Sequence, residues 1–352
     1  MQWTFFLDIL GYGNEQKTID NQEKADKFIE FMKENKSLID FEDSMNKSFY
    51  SDKDINIYEL YEIKSVFISD SFVLTSIPKD KEFREEDYYY LSSSIILELT
   101  FQMFYFIENI LDKQGLIIRG GISNKFTDID TESSLAVGQG LIEAYKLESN
   151  YENPRILLSK DISSDKKLMS FLDKDSKKYG EDFSIFLKDT DDFFYLNYLG
   201  FMLAILRRSE NDRQNMHKYY KDNYGVTQNI IEGLQELNKY KEPKEFDKEL
   251  SIFIKKNNLS EKELSKLISY LKEIGKNSNV LEEKVGHIQS VKYGTIKTLG
   301  NFQKVIKRNL EEQINNSDKK LYNKYLWLQK YHNNTIESFN DLEFIQKFKV
   351  ID

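Results

Sequence analysis

Seven short apolar runs constrain this chain most. They are WTFFLDIL, SVFISD, SFVLTSI, GLIIRGGI, RILLS, FSIFLK and FFYLNYL, and all fall before residue 200. Runs of this length, rich in Phe, Ile, Val and Tyr and bounded by polar residues, read as β-strands. Helix-like segments stand between them, near residues 19–35, 84–112, 138–149 and 160–173. Strands interleaved with helices predict an α+β or α/β architecture. Beyond residue 200 the strands stop. TQNIIEGLQELNKY, SEKELSKLISYLKEIG and GTIKTLGNFQKVIKRNLEEQI carry apolar residues at helical spacing. Ser260 and Glu263 form a capping-box signature ahead of Leu264, Leu267, Ile268 and Leu271. The expectation is two domains, 1–200 and an all-helical 201–352.

The charge agrees with a division. Residues 1–200 hold 23 basic and 38 acidic side chains, a net of −15, and residues 201–352 hold 27 and 21, a net of +6. The helical half is therefore expected to regulate the acidic half or to dock on it, with Trp327, Leu328 and Tyr331 sharing the helical face that makes the contact. Hydrophobic residues are 40% of the chain and aromatic residues 14%, enough for a sizeable core. There is no cysteine, which excludes a disulfide framework, a thiolate zinc site and a cysteine nucleophile, and fits a reducing compartment. The N-terminal residues lack the pattern of a secretory signal. The run Ile95–Leu111 carries Glu98 and Glu108 and reads as a buried helix rather than a membrane span. A cytoplasmic protein is expected.

Two of the strand-like runs end on an acid, Asp8 in the first and Asp70 between SVFIS and SFVLTS. Ser69, Asp70 and Ser71 are the polar residues of a tight hairpin turn. If the two strands are neighbours, the carboxylates converge at one edge, where they repel unless a divalent cation stands between them. Mg²⁺ suits such a place, taking one or two carboxylates, waters and substrate phosphates. Ile9, Leu10, Gly11, Tyr12 and Gly13 follow Asp8, and backbone N–H groups in a glycine loop can approach a phosphate closely. The other reading of the acids is a pair of turn and strand-end aspartates that cap local backbone. Arg119 closes an apolar strand before two glycines that leave room for a ligand. Arg155, in NPRI, is a second candidate cation, and either arginine could instead pair with an acid of this domain.

The order FLDILGYGN, FISDSFVL, IIRGGIS, VGQGLIEAYKLES and NPRILLS resembles the class III nucleotide cyclase catalytic domain, in a divergent bacterial and phage group of cyclase-like proteins. The resemblance covers roughly residues 2–200, and KYLWLQKYHNN (324–334) looks like the tail of that group. It implies a ferredoxin-like βαββαβ core working as a homodimer, with active sites at the subunit interface. It implies that Asp8 and Asp70 hold two Mg²⁺ or Mn²⁺ ions on a nucleoside triphosphate, with the Ile9–Gly13 segment on its phosphates. The ribose 3′-hydroxyl would attack the α-phosphate and release pyrophosphate. A signalling role in phage defence is what the group suggests.

The departures are specific. The family's helix pattern G-x-T-V-N-x-A-x-R, set on Gly138–Lys146, places its Asn at Ile142 and its Arg at Lys146. Lys146 keeps the charge but lacks the planar fork that grips two phosphate oxygens. The base-selecting Lys falls on Val66 and its partner on about Leu135. Another base, a linked oligonucleotide product, or nucleotide binding without turnover all remain open. Arg119 and Lys146 are the candidate catalytic cations. Two function classes stand: a metal-dependent nucleotide cyclase or nucleotidyltransferase, and a degenerate cyclase-like module that binds a nucleotide or protein. No other motif competes. GYGNEQK lacks P-loop spacing, TDIDTE reads as a solvated loop, and His217, His287 and His332 have no metal-ligand spacing. RRSENDRQNMHKYYKDN (207–223) reads as a connecting helix, which leaves nucleic acid and membrane outside the expected partners.

Overall fold

A computed structural model describes residues 1–13, 17–38, 57–79, 84–224, 252, 255–256, 292–313 and 318–351. The expected helices over 227–240 and 260–275, with the Ser260–Glu263 capping box, lie outside the described residues. The chain divides into two compact units, one of Met1–Ala204 with Thr295–Asp352, the other of Ile205–Gly294. Residues 295–352 thus belong to the same unit as the strand-rich half. In the second unit Lys292 pairs with Glu210 at 3.0 Å.

The first unit is mixed α+β. Its strands are β1 (Trp3–Leu10), β2 (Tyr61–Ile68), β3 (Ser71–Pro78), β4 (Ile117–Ser123), β5 (Asp128–Asp130), β6 (Leu135–Val137), β7 (Ile156–Leu158), β8 (Phe186–Lys188) and β9 (Phe194–Leu196). Seven of them make one sheet in the order β2-β3-β1-β4-β7-β9-β8. The β1–β3, β2–β3 and β1–β4 pairs are antiparallel, and β4–β7 is parallel. Helix α1 (Gln22–Leu38) falls between β1 and β2, and α2 (Glu85–Gln114) joins β3 to β4. After the small β5–β6 hairpin come α3 (Gln139–Ser149) and β7, then α4 (Lys166–Ser176), the β8–β9 hairpin and α5 (Tyr198–Tyr224). Helix α6 (292–313) and α7 (Lys319–Glu337) follow, with a 3-10 helix at Glu343–Phe348 after them and shorter helical turns at Ile57–Leu60, Lys160–Ser164 and Lys177–Tyr179.

Period-two alternation gives β1 two apolar faces. Trp3 donates its indole N–H to the Ser92 carbonyl of α2 at 3.0 Å, and Phe72 on β3 meets Phe106 of α2. Phe6, one residue out of phase, packs with Val66, Val73, Ile129 and Ala144 under α3. Covering a sheet on both faces buries its strands, which is why they read as near-continuous hydrophobic runs. Helix α2 is long and apolar enough to cross a membrane, yet Ile95, Ile96, Leu99, Met103, Phe106 and Ile110 are buried within this unit. It is a core helix, as its acids suggested.

TDIDTE differs from its expectation as a solvated loop. Ile129 pairs with Ala136 and is buried, and Asp128 and Asp130 point outward on either side of it. Three residues are too few for a periodic signal.

Candidate functional site

Asp8 sits on the α3 face of β1, the face of Phe6. Its cross-strand neighbours are Ser71 on β3 and Arg119 on β4. Asp70 lies in the two-residue turn between Ile68 and Ser71, a turn that needs Ser69 in the left-handed region at φ 59°. The Ile9 N–H donates to the Asp70 carbonyl at 3.3 Å. The turn is thereby tied to the residue after Asp8, and the two acids come together at one end of the sheet. The N–H of Ile9 is engaged in this bond, and Leu10 is paired with Ile117 in the β1–β4 ladder. Gly11 then turns the chain at φ +94°, a conformation that a side chain resists. Around Gly13 a Cβ would meet nothing within 4 Å. Tyr12 rests edge-on against Phe28 and hydrogen-bonds Ser69, and burial with the nearby Asp70 charge raises its hydroxyl pKa.

Arg119 lies between two carboxylates. Its Nε and Nη2 donate to Asp8 Oδ2 at 3.0 and 2.8 Å, and Nη2 stands 2.6 Å from Glu148 Oε1. The side chains are 14% exposed for Asp8, 5% for Glu148 and 23% for Arg119, so little water screens them. Burial holds the Asp8 carboxyl above the usual carboxylate range against the pull of Arg119, and the Asp70 charge adds to the rise. Glu148 is raised the same way, by burial first, then by Asp8 and Asp70. Burial and their mutual repulsion push both acids toward their neutral forms, and the charges of Arg119 and Lys324 oppose that push. That is the state in which added positive charge is most welcome.

Lys146, the helix cation expected from the motif, is exposed on α3. Two residues on, Glu148 is the α3 side chain that reaches the cluster. It was absent from the sequence candidates, although Gly140, Ala144, Leu147 and Glu148 make the buried stripe of α3. An acid on such a stripe is the signal that could have found it. Ile142 is exposed with Tyr145, Leu135, Val137 and Phe126. Val66 is a core residue of the Phe6 cluster and faces no open site.

The two glycines after Arg119 leave room for protein backbone. A Cβ at Gly121 would lie 2.3 Å from the Ala144 carbonyl of α3, and one at Gly120 would lie 2.2 Å from the Phe6 carbonyl. Arg155 is buried and paired with Asp189 and Asp191, so it is a structural arginine. Trp327 donates its indole N–H to Asp189 at 2.9 Å, Tyr331 accepts from the Leu199 N–H at 3.0 Å, and Leu328 is fully buried. The face of α7 expected to make the contact does make it.

Among the described residues no group of three or more His, Asp and Glu side chains converges to hold a metal ion. A cavity of about 280 Å³, lined by Tyr195, Asn197, Tyr331 and Ser338 among others, lies elsewhere in the unit, and none of the acid-pair residues lines it.

No known protein family matches this chain, and no curated protein matches it in sequence. Among solved structures it is similar to the adenylyl cyclase CyaB from P. aeruginosa. The identity is 13%, the TM-score 0.32, and the match covers 55% of this chain and 92% of that one. A likeness of that size is too distant to speak to activity or substrate.

Proposed function

We propose that this chain is a Mg²⁺- or Mn²⁺-dependent nucleotide cyclase or related nucleotidyltransferase that makes a signalling nucleotide from a nucleoside triphosphate. One observation carries the reading: Asp8 and Asp70 meet at one end of the sheet with Arg119 placed against Asp8. Carboxylates for a cation and a guanidinium for an anion stand side by side, which is what a metal–polyphosphate ligand requires. The order β2-β3-β1-β4, with α1 and α2 as crossovers, supports a ferredoxin-like core.

Asp8 and Asp70 fit the ion's donor needs as a two-carboxylate set that leaves positions for water and phosphate. When bound, the ions would neutralise phosphate charge and stabilise the leaving group. The chain's own part is positional. Charge brought to Asp8 loosens its hold on Arg119, whose planar fork then suits two phosphate oxygens, while Glu148 keeps the guanidinium from swinging away. The turn at Gly11 offers backbone N–H groups beyond Leu10. In the reaction the ribose 3′-oxygen bonds to the α-phosphorus, the bond from that phosphorus to the β-phosphate oxygen breaks, and pyrophosphate leaves with the electron pair as the hydroxyl proton passes to solvent. A homodimer belongs to the reading, with the exposed apolar group of Phe126, Leu135, Val137, Ile142 and Tyr145 as its contact surface.

The second reading is a cyclase-like module that binds nucleotide without turnover. It is favoured by Ile142 and Lys146 standing where the family's ribose and transition-state contacts would be. Incubation with each of the four labelled ribonucleoside triphosphates and Mg²⁺ or Mn²⁺, followed by product identification, separates the two. Pyrophosphate release from one nucleotide supports the enzyme. Nucleotide-linked stabilisation without consumption supports the binder. Neither outcome with any nucleotide overturns both.

A further inference from the structure

Helix α7 is tied at two places to residues that flank β4 and α3. Asp318 caps α7 by accepting from the Leu321 N–H at 3.0 Å. In the first turn Lys320 pairs with Glu152 at 3.4 Å. Two turns further along, Trp327 donates to Asp189, which also pairs with Arg155, and the Arg155 carbonyl accepts from the N–H of Gly120, the residue next to Arg119. Lys324 lies between these two attachments. It is half-buried, and its charge acts on Asp8, Glu148 and Arg119. Burial and the neighbouring Arg119 and Lys320 charges lower its pKa, while Glu148 and Glu152 oppose them. The ion pair at Lys320 and the Trp327–Asp189 bond therefore set Lys324 on the stretch of α7 whose charge is felt at Asp8 and Glu148.

We propose that Lys324 is a polyphosphate-binding residue of the Asp8–Arg119 site, brought to it by the chain's own C-terminal helix. This rests on the reading of that site as one for a nucleoside triphosphate. Like charges crowded together are costly, and Glu148 relieves that cost in the free protein. A polyphosphate has charge for both cations at once. Lys324 takes the part that Lys146 cannot take from the outer face of α3, and an ammonium on a flexible stem suits a terminal phosphate as a point charge.

The test is calorimetric titration of the full chain with inorganic tripolyphosphate and Mg²⁺, which reads the phosphate contacts without a base or a reaction. Lys324→Ala should weaken binding by about ten- to a hundredfold, the range for losing a charged hydrogen-bonding partner. Lys324→Arg should restore most of it, and Lys320→Ala, one turn away and paired with Glu152, should leave it near wild type. If Lys324→Ala melts early, Lys324→Gln keeps the stem and polarity and serves in its place. Unchanged affinity in a folded Lys324 variant overturns the proposal, as does an equal loss in Lys320→Ala or a wild-type chain that takes up no tripolyphosphate. The failures are separable. Lys324-dependent tripolyphosphate binding with no nucleotide consumed leaves Lys324 in place and removes the enzyme reading. Asp8-dependent turnover with Lys324-independent binding does the reverse.

Discussion

Arg119 and Asp8 face each other across the β1–β4 ladder, and the guanidinium donates through both Nε and Nη2 to the same carboxylate oxygen, Asp8 Oδ2, at 3.0 and 2.8 Å. The neighbouring Glu148 takes the other side of Nη2 at 2.6 Å. The free protein thus supplies from within the charge that a metal or a phosphate would bring, and a ligand has to compete with it.

That competition makes the acid pair separable from ordinary turn aspartates. Asp8→Asn and Asp70→Asn each remove one candidate metal ligand and keep the shape. Turnover should fall by orders of magnitude, since metal charge stabilisation supplies several kcal/mol and each ~1.4 kcal/mol is about tenfold. Melting of the metal-free protein should not fall, and for Asp8→Asn it should hold or rise, because burial outweighs Arg119 in setting the Asp8 pKa. A drop in melting temperature with unchanged metal dependence would mark the acids as structural.

Removing the cation gives a pH signature. Arg119→Gln leaves Asp8 and Glu148 buried beside each other, and their carboxyl pKa values, already raised, rise further. A carboxyl raised by folding keeps its proton to higher pH than in the unfolded chain, so stability is lost as pH climbs through the folded value. The variant should be less stable than wild type by roughly 1–2 kcal/mol at neutral pH, below the range for a fully buried pair because Arg119 is partly exposed. The gap should close as pH falls through the raised carboxyl values, since below them both acids carry their protons in either protein. Thermal melts across that range check it, and a gap independent of pH would show that Arg119 acts through packing alone.

The exposed apolar group on α3 and the β5–β6 hairpin is the surface for the dimer prediction. Ile142→Asp places a charge in its middle without touching the core, since Ile142 is 55% exposed. Sedimentation should show a shift from dimer to monomer with the melting temperature of the monomer unit kept. A wild-type chain that sediments as a monomer at all concentrations would remove the dimer.

The strands were legible because burial on both faces writes long apolar runs, and an acid that interrupts such a run drew attention to Asp8 and Asp70, although β1 does not end at Asp8 as expected but continues to Leu10. Arg119 was visible for the same reason, on IIRGG. Glu148 and Lys324 were hidden. Glu148 lies 29 residues beyond Arg119 and Lys324 205 beyond it, and although both fall within the quoted segments VGQGLIEAYKLES and KYLWLQKYHNN, nothing in those segments marks either as a partner of Arg119. The glycines misdirected: local sequence signals that something comes close to Gly121, but whether ligand or helix is decided by the fold.

The last prediction uses that close approach. A methyl at Gly121 would stand 2.3 Å from the Ala144 carbonyl and 2.7 Å from Leu147 Cβ, both on α3. Backbone cannot rotate away as a side chain would, so α3 must shift or the strand must bend, at a cost of about 1–3 kcal/mol for overpacking. Glu148 follows Leu147 on the same helix, so the shift should also loosen its hold on Arg119. Gly121→Ala should therefore lower the melting temperature and weaken tripolyphosphate binding together. Gly300→Ala is the control: its Cβ would meet Phe348 at an ordinary 3.5 Å, in a helix where alanine is the better former, so stability should hold or rise. If Gly121→Ala melts like wild type, the tight contact between β4 and α3 is not what sets the position of Glu148.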